Sequence, residues 1–436
     1  MPKKTLFILL SLTLSAQAAY AQGTEYDRYG RVYRDGAAPS SDRNAATDFL
    51  TYPLQILRWP INKTMVFVEK NHVDTRIEWA YDSLINRGIT PHLGLVNPVK
   101  GHYGLEVDWV RLANQRNRFP DWKANSWIYG SKDIYFQVGS ELGWQDVTGS
   151  GLGASGMVQY EKRPEVHFNG IGPNSSAGDG TSYKMETTTL GPKISYDPRP
   201  TVSGDVFFNY KNVNITNGED GGRGIIDEIF AGQNIPGLAG DELLSLGTEW
   251  VHDTRNHREL STRGGERRLA FSYNEGIAGS DARYFKYETE LSQYLRLASE
   301  RRVLAFHFHG EHNDEINNGT VPFHQMAQLG GFSGRPRNSQ TLRSYDYNRF
   351  YDESSVLFNV EYRYAIWENR EFRVDSVLFW DEGQVFGEFS EFKLNNFRES
   401  YGLGFRLSVA NVVLLSLEGA HGDEGTKVYV KSRTPF

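Results

Sequence analysis

"SSVLFNVEYRYAI", residues 354–366, carries an apolar or aromatic side chain at every second position from Val356 to Ile366. The positions between them include the polar residues Ser355, Asn359, Glu361 and Arg363. Because successive side chains of a strand point to opposite faces, this stretch is a β-strand with one apolar and one polar face. It is longer than the average strand of a soluble protein, about 5–6 residues, and long enough to cross a bilayer at a tilt.

The same alternation recurs from residue 90 to the C-terminus. It is clear in "GDVFFNYKN" (204–212), "RVLAFHFHG" (302–310) and "SYGLGFRLS" (400–408). The sequence therefore predicts an all-β transmembrane barrel of about 16 antiparallel strands, an even number as in bacterial barrels. The expected strands are 90–97, 102–113, 122–131, 133–144, 154–168, 181–197, 201–214, 241–254, 266–275, 283–297, 301–312, 353–367, 370–387, 397–410, 411–420 and 427–436.

Composition agrees with a barrel and excludes several other classes. The chain has 13% aromatic residues and 44 Gly, as expected of many strands with tight turns and aromatic belts. It has no Cys, so no disulfide stabilises it. The net charge is −7 and Lys and Arg are dispersed, which predicts no nucleic-acid partner. After the first 21 residues no stretch has the roughly 20 apolar residues that a transmembrane helix needs. The mean hydropathy of −0.53 is compatible with a transmembrane barrel, because the inner face of such a barrel is polar.

The first 88 residues differ from the rest of the chain. Residues 1–21 have the charged, apolar and small-residue order of a secretory signal peptide. Residues 22–47 are small and polar, typical of a flexible leader. Residues 48–88 show helical spacing and are predicted to form amphipathic periplasmic helices ending near Gly88. These helices would cap the barrel, lie on the membrane or plug the lumen, and the sequence leaves the three alternatives open.

A family resemblance rests on several weak motifs in a fixed order. "LGGFSGRPRNSQTLRSYDYNRF" (329–350) is followed by "VLFNVEYRYAIW" (356–367), "VLFWDEGQVF" (377–386) and "YGLGFRLS" (401–408). Together they resemble the C-terminal half of BamA/TamA-like outer-membrane barrels of the bacterial surface antigen family. The resemblance covers roughly residues 88–436 and implies a barrel in the outer membrane of a Gram-negative bacterium. Residues 22–88 are too few for several periplasmic POTRA modules, so we expect a branch that lacks them.

The resemblance also implies a role for an arginine in the long segment 320–353. In this family the sixth outer loop folds into the barrel, where its arginine pairs with acidic residues of neighbouring strands. The matching positions are Arg343, Glu361 and Asp381. The loop motif around the arginine consists of Leu342, Ser344 and Tyr345, and Ser344 departs from the glycine usual in the family. The alternative is an unpaired arginine in a solvated loop.

The resemblance implies assistance with assembly, insertion or translocation of protein, or lipid, at the outer membrane. Its route would be a weakly paired seam between the first and last strands, around Leu93 and Val430. Expected partners are outer-membrane lipid and client outer-membrane or secreted proteins. The barrel assembly machinery would insert the chain itself, with the C-terminal aromatic Phe436 as the signal. The alternative function is a passive pore or a structural barrel without insertase activity.

The sequence patterns predict no enzyme, cofactor or metal site. "GLGASG" (151–156) matches a dinucleotide fingerprint formally, but an alternating strand rather than a helix follows it. His307 and His309 share a face, and lumen lining explains them better than metal binding because no third ligand is fixed. "GFSGRP" around Ser333 falls short of a nucleophile motif, and His252-Asp253 matches the end of a strand.

Overall fold

The computed structural model describes part of the chain. The described residues are 89–97, 102–110, 122–130, 135–144, 151–218, 224–230, 232–257, 260–297, 299, 301–332, 340–368, 372–409, 412–431 and 433–436. The chain forms two compact units, Met1–Pro91 and His92–Phe436. The signal peptide, leader and helices predicted for residues 1–88 lie outside the described residues. Within the described part, no helix has the length and apolar character needed to cross a membrane.

Sixteen long strands form an antiparallel meander. Each pairs with the next long strand along the chain. The prediction of about sixteen antiparallel strands in a barrel is confirmed. The long strands are β1 (Ile89–Asn97), β2 (His102–Val110), β3 (Trp122–Gly130), β4 (Phe136–Trp144), β5 (Leu152–Phe168), β6 (Thr181–Arg199), β7 (Val202–Asn217), β9 (Gly240–Asp253), β10 (Gly264–Ile277), β11 (Arg283–Arg296), β12 (Arg302–Glu315), β15 (Ser354–Glu368), β16 (Phe372–Phe386), β17 (Arg398–Val409), β18 (Val412–Gly422) and β19 (Gly425–Lys431).

Three short strands and one short helix complete the described elements of regular structure longer than a single 3-10 turn. β8 (Gly224–Ile225) pairs in parallel with β6 and leads into α1 (Ile226–Ile229). β13 (Ala327–Leu329) and β14 (Phe350–Asp352) pair with each other within residues 316–353, the connection between β12 and β15. We call residues 316–353 the inserted loop.

The two ends of the barrel carry different connections. At the turn end, short connections such as 200–201, 297–301 and 369–371 join the strands. At the loop end, the connections include 169–180, 218–239, the inserted loop and 387–397. Outer-membrane barrels have short periplasmic turns and longer extracellular loops. The turn end is therefore the periplasmic end.

Side chains alternate between an apolar outer face and a polar inner face. Leu378, Leu403 and Leu246 point outward and are 58%, 56% and 56% exposed, as expected of side chains that meet lipid. Asp381, Arg406 and Glu418 lie on the opposite face of their strands and are fully buried. Such burial of charged groups requires partners within the barrel. The inserted loop supplies one of them.

An apolar cluster packs between the inserted loop and the inner wall at the loop end, and we call it the loop-end core. Phe323 of the inserted loop lies 4.8 Å from the ring of Phe168 and 5.2 Å from the ring of Tyr183. Tyr351, near the other end of the same loop, lies 5.2 Å from Phe168. The cluster contains Val166, Phe168, Tyr183, Val213, Ile215, Ile226, Phe230, Ile235, Leu243, Ala282, Tyr284, Val321, Phe323, Met326 and Tyr351. Its burial holds the inserted loop inside the barrel.

The last strand is shorter than the sequence predicts. β19 ends at Lys431, whereas the alternation predicts strand as far as residue 436. Thr434 and Pro435 are buried beyond the end of the strand, and Pro435 has no N–H to donate to a ladder. Phe436 turns to the inner wall, where its ring stacks 4.9 Å from the ring of His307. The expected position of Phe436 within an alternating last strand is therefore wrong.

Candidate functional site

The alternation of side chains in three strands of one part of the wall, β15, β16 and β18, places three carboxylates on its inner face. Glu361 lies in β15, Asp381 in β16 and Glu418 in β18, and all three are fully buried. The inserted loop approaches them through a short antiparallel bridge between Gly331 and Leu342. A turn then follows in which the Tyr345 N–H donates to the Leu342 carbonyl at 3.2 Å. This turn presents the side chain of residue 343 to the wall.

Arg343 contacts all three carboxylates. Its Nε and Nη2 donate to the two oxygens of Asp381 at 2.8 and 2.6 Å, forming a bidentate pair. Its Nη1 donates to Glu361 Oε1 at 2.8 Å and to Glu418 Oε2 at 2.9 Å. The guanidinium lies 3.5 Å from the centre of the Phe379 ring. The structure thus brings Arg343, Glu361 and Asp381 together and adds Glu418 to them.

Two further arginines complete the cluster. Arg406 of β17 donates to Glu361 at 2.8 Å and to Glu418 at 2.6 Å, and Arg363 of β15 donates to Glu361 at 2.8 Å. Three guanidinium groups therefore face three carboxylates, and all six residues are at most 3% exposed. We call these six residues the lock cluster. Without Arg343 the wall would hold three carboxylates against two guanidinium groups, so the loop arginine completes its charge balance.

Hydrogen bonds from the wall fix the loop backbone on both sides of Arg343. Asn359 Nδ2 donates to the Thr341 carbonyl and to Asp381 Oδ1, both at 2.8 Å. The Ser344 N–H donates to Ser400 Oγ at 2.9 Å. A Cβ at Gly422 would come within 2.2 Å of Ser344 Oγ, so this glycine leaves room for the serine. The wall therefore accommodates Ser344 through the hydrogen bond from its N–H to Ser400 Oγ and through the space beside Gly422.

The loop also has a second set of anchors, on the last hairpin and on the connection 169–180. Arg349 Nε donates to Glu424 Oε1 at 2.9 Å in the β18–β19 turn, and its Nη1 donates to Ser175 Oγ at 2.9 Å. Lys427 Nζ donates to Asp346 Oδ1 at 2.7 Å. In addition, Tyr429 of β19 donates its hydroxyl to the Tyr345 carbonyl at 3.2 Å. The inserted loop is thus bonded directly to the last strand.

Carboxylates crowd the point where the inserted loop joins β15. Burial raises the pKa of Asp352 to about 6. Burial, followed by the charges of Glu315, Asp352, Glu388 and Glu391, raises the pKa of Glu353 to about 7. The docked loop therefore binds protons more tightly than the released loop. These two carboxyl groups therefore stabilise the docked loop most below pH about 4, the ordinary range of such groups, and their contribution falls as the pH rises through 6 and 7.

We expect the thermal unfolding temperature to be lower at pH 8 than at pH 5. The variant Glu353→Gln removes one titrating group and should reduce this difference by raising the unfolding temperature at pH 8. The matched control is Glu228→Gln in α1, where the carboxylate is exposed. A pH dependence that is the same in the Glu353→Gln variant and the parent would contradict the assignment.

The remaining predicted residues lie apart from the lock cluster. Val430 lies on the outer face of β19 and is 38% exposed. Leu93 lies in β1, and its side chain is outside the described part of the structure. Phe436 packs against the inner wall, with the guanidinium carbon of Arg363 5.5 Å from its ring centre. Ser333 belongs to the residues that are not described.

The other polar motifs line the barrel wall. His307 contacts Asn359 at 2.8 Å and Glu290 at 3.3 Å on the inner face. His309 lies 3.8 Å from Glu311. In the described residues no group of three or more metal-ligating side chains is gathered in one place. Gly151 adopts a φ of 83° in a turn and β5 follows it directly.

A sixteen-stranded antiparallel barrel, filled at one end by a loop that a buried arginine fixes to the wall, defines a class of outer-membrane barrels. The chain belongs to the Omp85 superfamily, whose domain matches residues 120–420. At the level of the superfamily, this places it among the barrels that insert or translocate proteins at the outer membrane. No curated protein sequence matches the chain significantly.

Two solved structures share the fold. BamA from Haemophilus ducreyi lacking POTRA domains 1–3 is 14% identical, with a TM-score of 0.56, and the match covers 81% of this chain and 76% of that one. CdiB from Escherichia coli is 10% identical, with a TM-score of 0.50, and the match covers 79% of this chain and 62% of that one. At these identities the likeness concerns the fold of the barrel alone.

Arg406 and Glu418 were missed at the level of sequence, although a signal for each was present. Alternation places Arg406 on the polar face of "SYGLGFRLS", and it places Ser416, Glu418 and Ala420 on one face of β18. An inward arginine and an inward glutamate on adjacent strands could have been paired. The register that sets Arg406 opposite Ser416, two residues from Glu418, is fixed only by the folded sheet.

Proposed function

We propose that this barrel assists the assembly, insertion or translocation of protein, or lipid, at the outer membrane through the seam between its first and last strands. The observation that carries the proposal is the lock cluster together with the bonds from the inserted loop to β19. The loop is fixed to the wall at one point and to the last strand at another. A displacement of the last strand at the seam would therefore also displace the inserted loop.

The loop-end core favours this function over a passive pore. Its fifteen buried residues fill the space between the inserted loop and the inner wall with closely packed side chains. A water-filled pore would need polar surface there. Membership of the Omp85 superfamily, whose domain matches residues 120–420, supports the same choice.

A seam staple tests the proposal. The chain has no native Cys, so Leu93→Cys with Val430→Cys, and neighbouring positions scanned for register, introduces the only thiols. Oxidation then links the first and last strands. In cells that depend on this barrel, we expect the abundance of outer-membrane proteins to fall several-fold on oxidation and to recover on reduction.

The matched control is a staple between two strands that have no role at the seam. Leu269 of β10 and Thr289 of β11 lie opposite each other on the outer face, and Leu269→Cys with Thr289→Cys links them. This staple should leave the abundance of outer-membrane proteins unchanged. If the seam staple forms efficiently and outer-membrane proteins stay at their normal level, the seam does not open and a closed structural barrel becomes the better description.

A further inference from the structure

An open groove of about 320 Å³ crosses the outer face of the barrel over strands β10 to β15. Its apolar walls are Leu291, Phe306, Phe308, Phe358 and Val360. Phe308 and Phe358 lie opposite each other in the sheet, with ring centres 5.0 Å apart. Three steps of about 4.8 Å between four strands give the groove a length of about 14 Å. This length and the apolar walls suit an extended hydrocarbon chain.

One end of the groove is charged. Arg267 of β10 lines the groove and is exposed on the outer face. Its Nη1 lies 3.5 Å from Nδ1 of His252, which is also exposed on the outer face of β9. Within the described residues, no carboxylate forms a salt bridge with Arg267. Arg267 therefore faces the membrane beside the apolar groove, and its positive charge can pair with an anionic group of a lipid.

The groove rises from the turn end towards the middle of the barrel wall. Arg267 lies three residues from Gly264, the turn-end limit of β10. Leu291 lies five residues from the turn-end limit of β11, Phe308 six from that of β12, and Phe358 ten from that of β15. Arg267 is opposite Leu291, Leu291 opposite Phe308, and Phe308 opposite Phe358. The charged end is thus at the periplasmic boundary, and the apolar end is deeper in the membrane.

We infer that this groove binds one glycerophospholipid of the periplasmic leaflet. Arg267 donates to the lipid phosphate, as arginines in proteins do to phosphate groups generally. One acyl chain follows the groove past Leu291 and Phe308 to Phe358. The site lies on the wall between β10 and β15, away from the first and last strands, so it does not depend on the function proposed for the seam.

Native mass spectrometry of the detergent-purified full chain, titrated with phosphatidylglycerol, tests the site. Arg267→Ala removes the hydrogen bond between the guanidinium and the lipid phosphate, and it should therefore weaken retention of the first lipid about tenfold. Leu291→Trp, which fills the groove from the outer face, should weaken it as well. The control is Arg302→Ala: Arg302 is an exposed arginine at the turn end of β12 and lies outside the groove.

Three results would overturn the assignment. Equal retention in Arg267→Ala, Arg302→Ala and the parent would show that the lipid binds by general attraction. If uncharged diacylglycerol is retained as well as phosphatidylglycerol, the phosphate does not contribute to binding. If inorganic phosphate at the same concentration displaces the bound lipid, the site recognises an anion and not a lipid. Stronger retention of phosphatidylglycerol than of either probe, lost in Arg267→Ala, supports it.

Discussion

Replacing Arg343 by Ala should destabilise the barrel by about 3–5 kcal/mol, the usual effect of removing one partner from a buried charge network. The variant leaves three buried carboxylates against Arg363 and Arg406, and Asp381 loses both of its bonds to the guanidinium. The measurement is the temperature at which the folded band is lost in semi-native electrophoresis. Limited proteolysis of the inserted loop should become faster at the same time.

Two further variants separate charge from geometry. Arg343→Lys keeps one positive charge but cannot bind Asp381 through two parallel bonds, so its loss should be intermediate. Glu418→Gln in the Arg343→Ala background restores the charge balance and should recover part of the stability. The control is Arg263→Ala in the β9–β10 connection, with no expected effect. If Arg343→Ala unfolds at the parent's temperature, the arginine does not hold the loop.

Much of the architecture follows from period-two alternation, because a barrel wall has lipid on one side and polar groups on the other. That pattern predicts sixteen strands and places Glu361 and Asp381 on the inner face. Local alternation decides which face a residue occupies, and each strand carries that information by itself. The strand limits are therefore predicted to within a few residues, except at the C-terminus.

What the sequence could not supply are contacts that depend on register or on loop packing. The meeting of Arg406 with Glu361 requires the relative shift of β15, β16 and β17, which is a property of the assembled sheet. The loop-end core joins Phe168 to Phe323 across 155 positions of sequence. Phe436 lies beyond the end of β19 at Lys431, and its ring packs instead on His307 and beside the guanidinium of Arg363.

Replacing Phe323 by Ala should also destabilise the barrel by about 3–5 kcal/mol, as is usual for a fully buried Phe. The ring is completely buried and packs on Phe168 and Tyr183. The cavity would lie between the inserted loop and the wall, so the conductance of the reconstituted barrel should rise as the loop end loosens. Phe389→Ala is the matched control, because Phe389 is 68% exposed.

The two large effects should not add. Phe323 and Arg343 anchor the same inserted loop at two points, and a loop that leaves the lumen as a unit gives up both anchors together. Independent sites show additive free energies of unfolding, whereas coupled sites deviate by about 0.5–3 kcal/mol. We therefore expect the double variant to lose less stability than the sum of the single variants. Full additivity would mean that the lock cluster and the loop-end core hold separate parts of the loop, and a signal from the seam could then reach the lock cluster without disturbing the loop-end core.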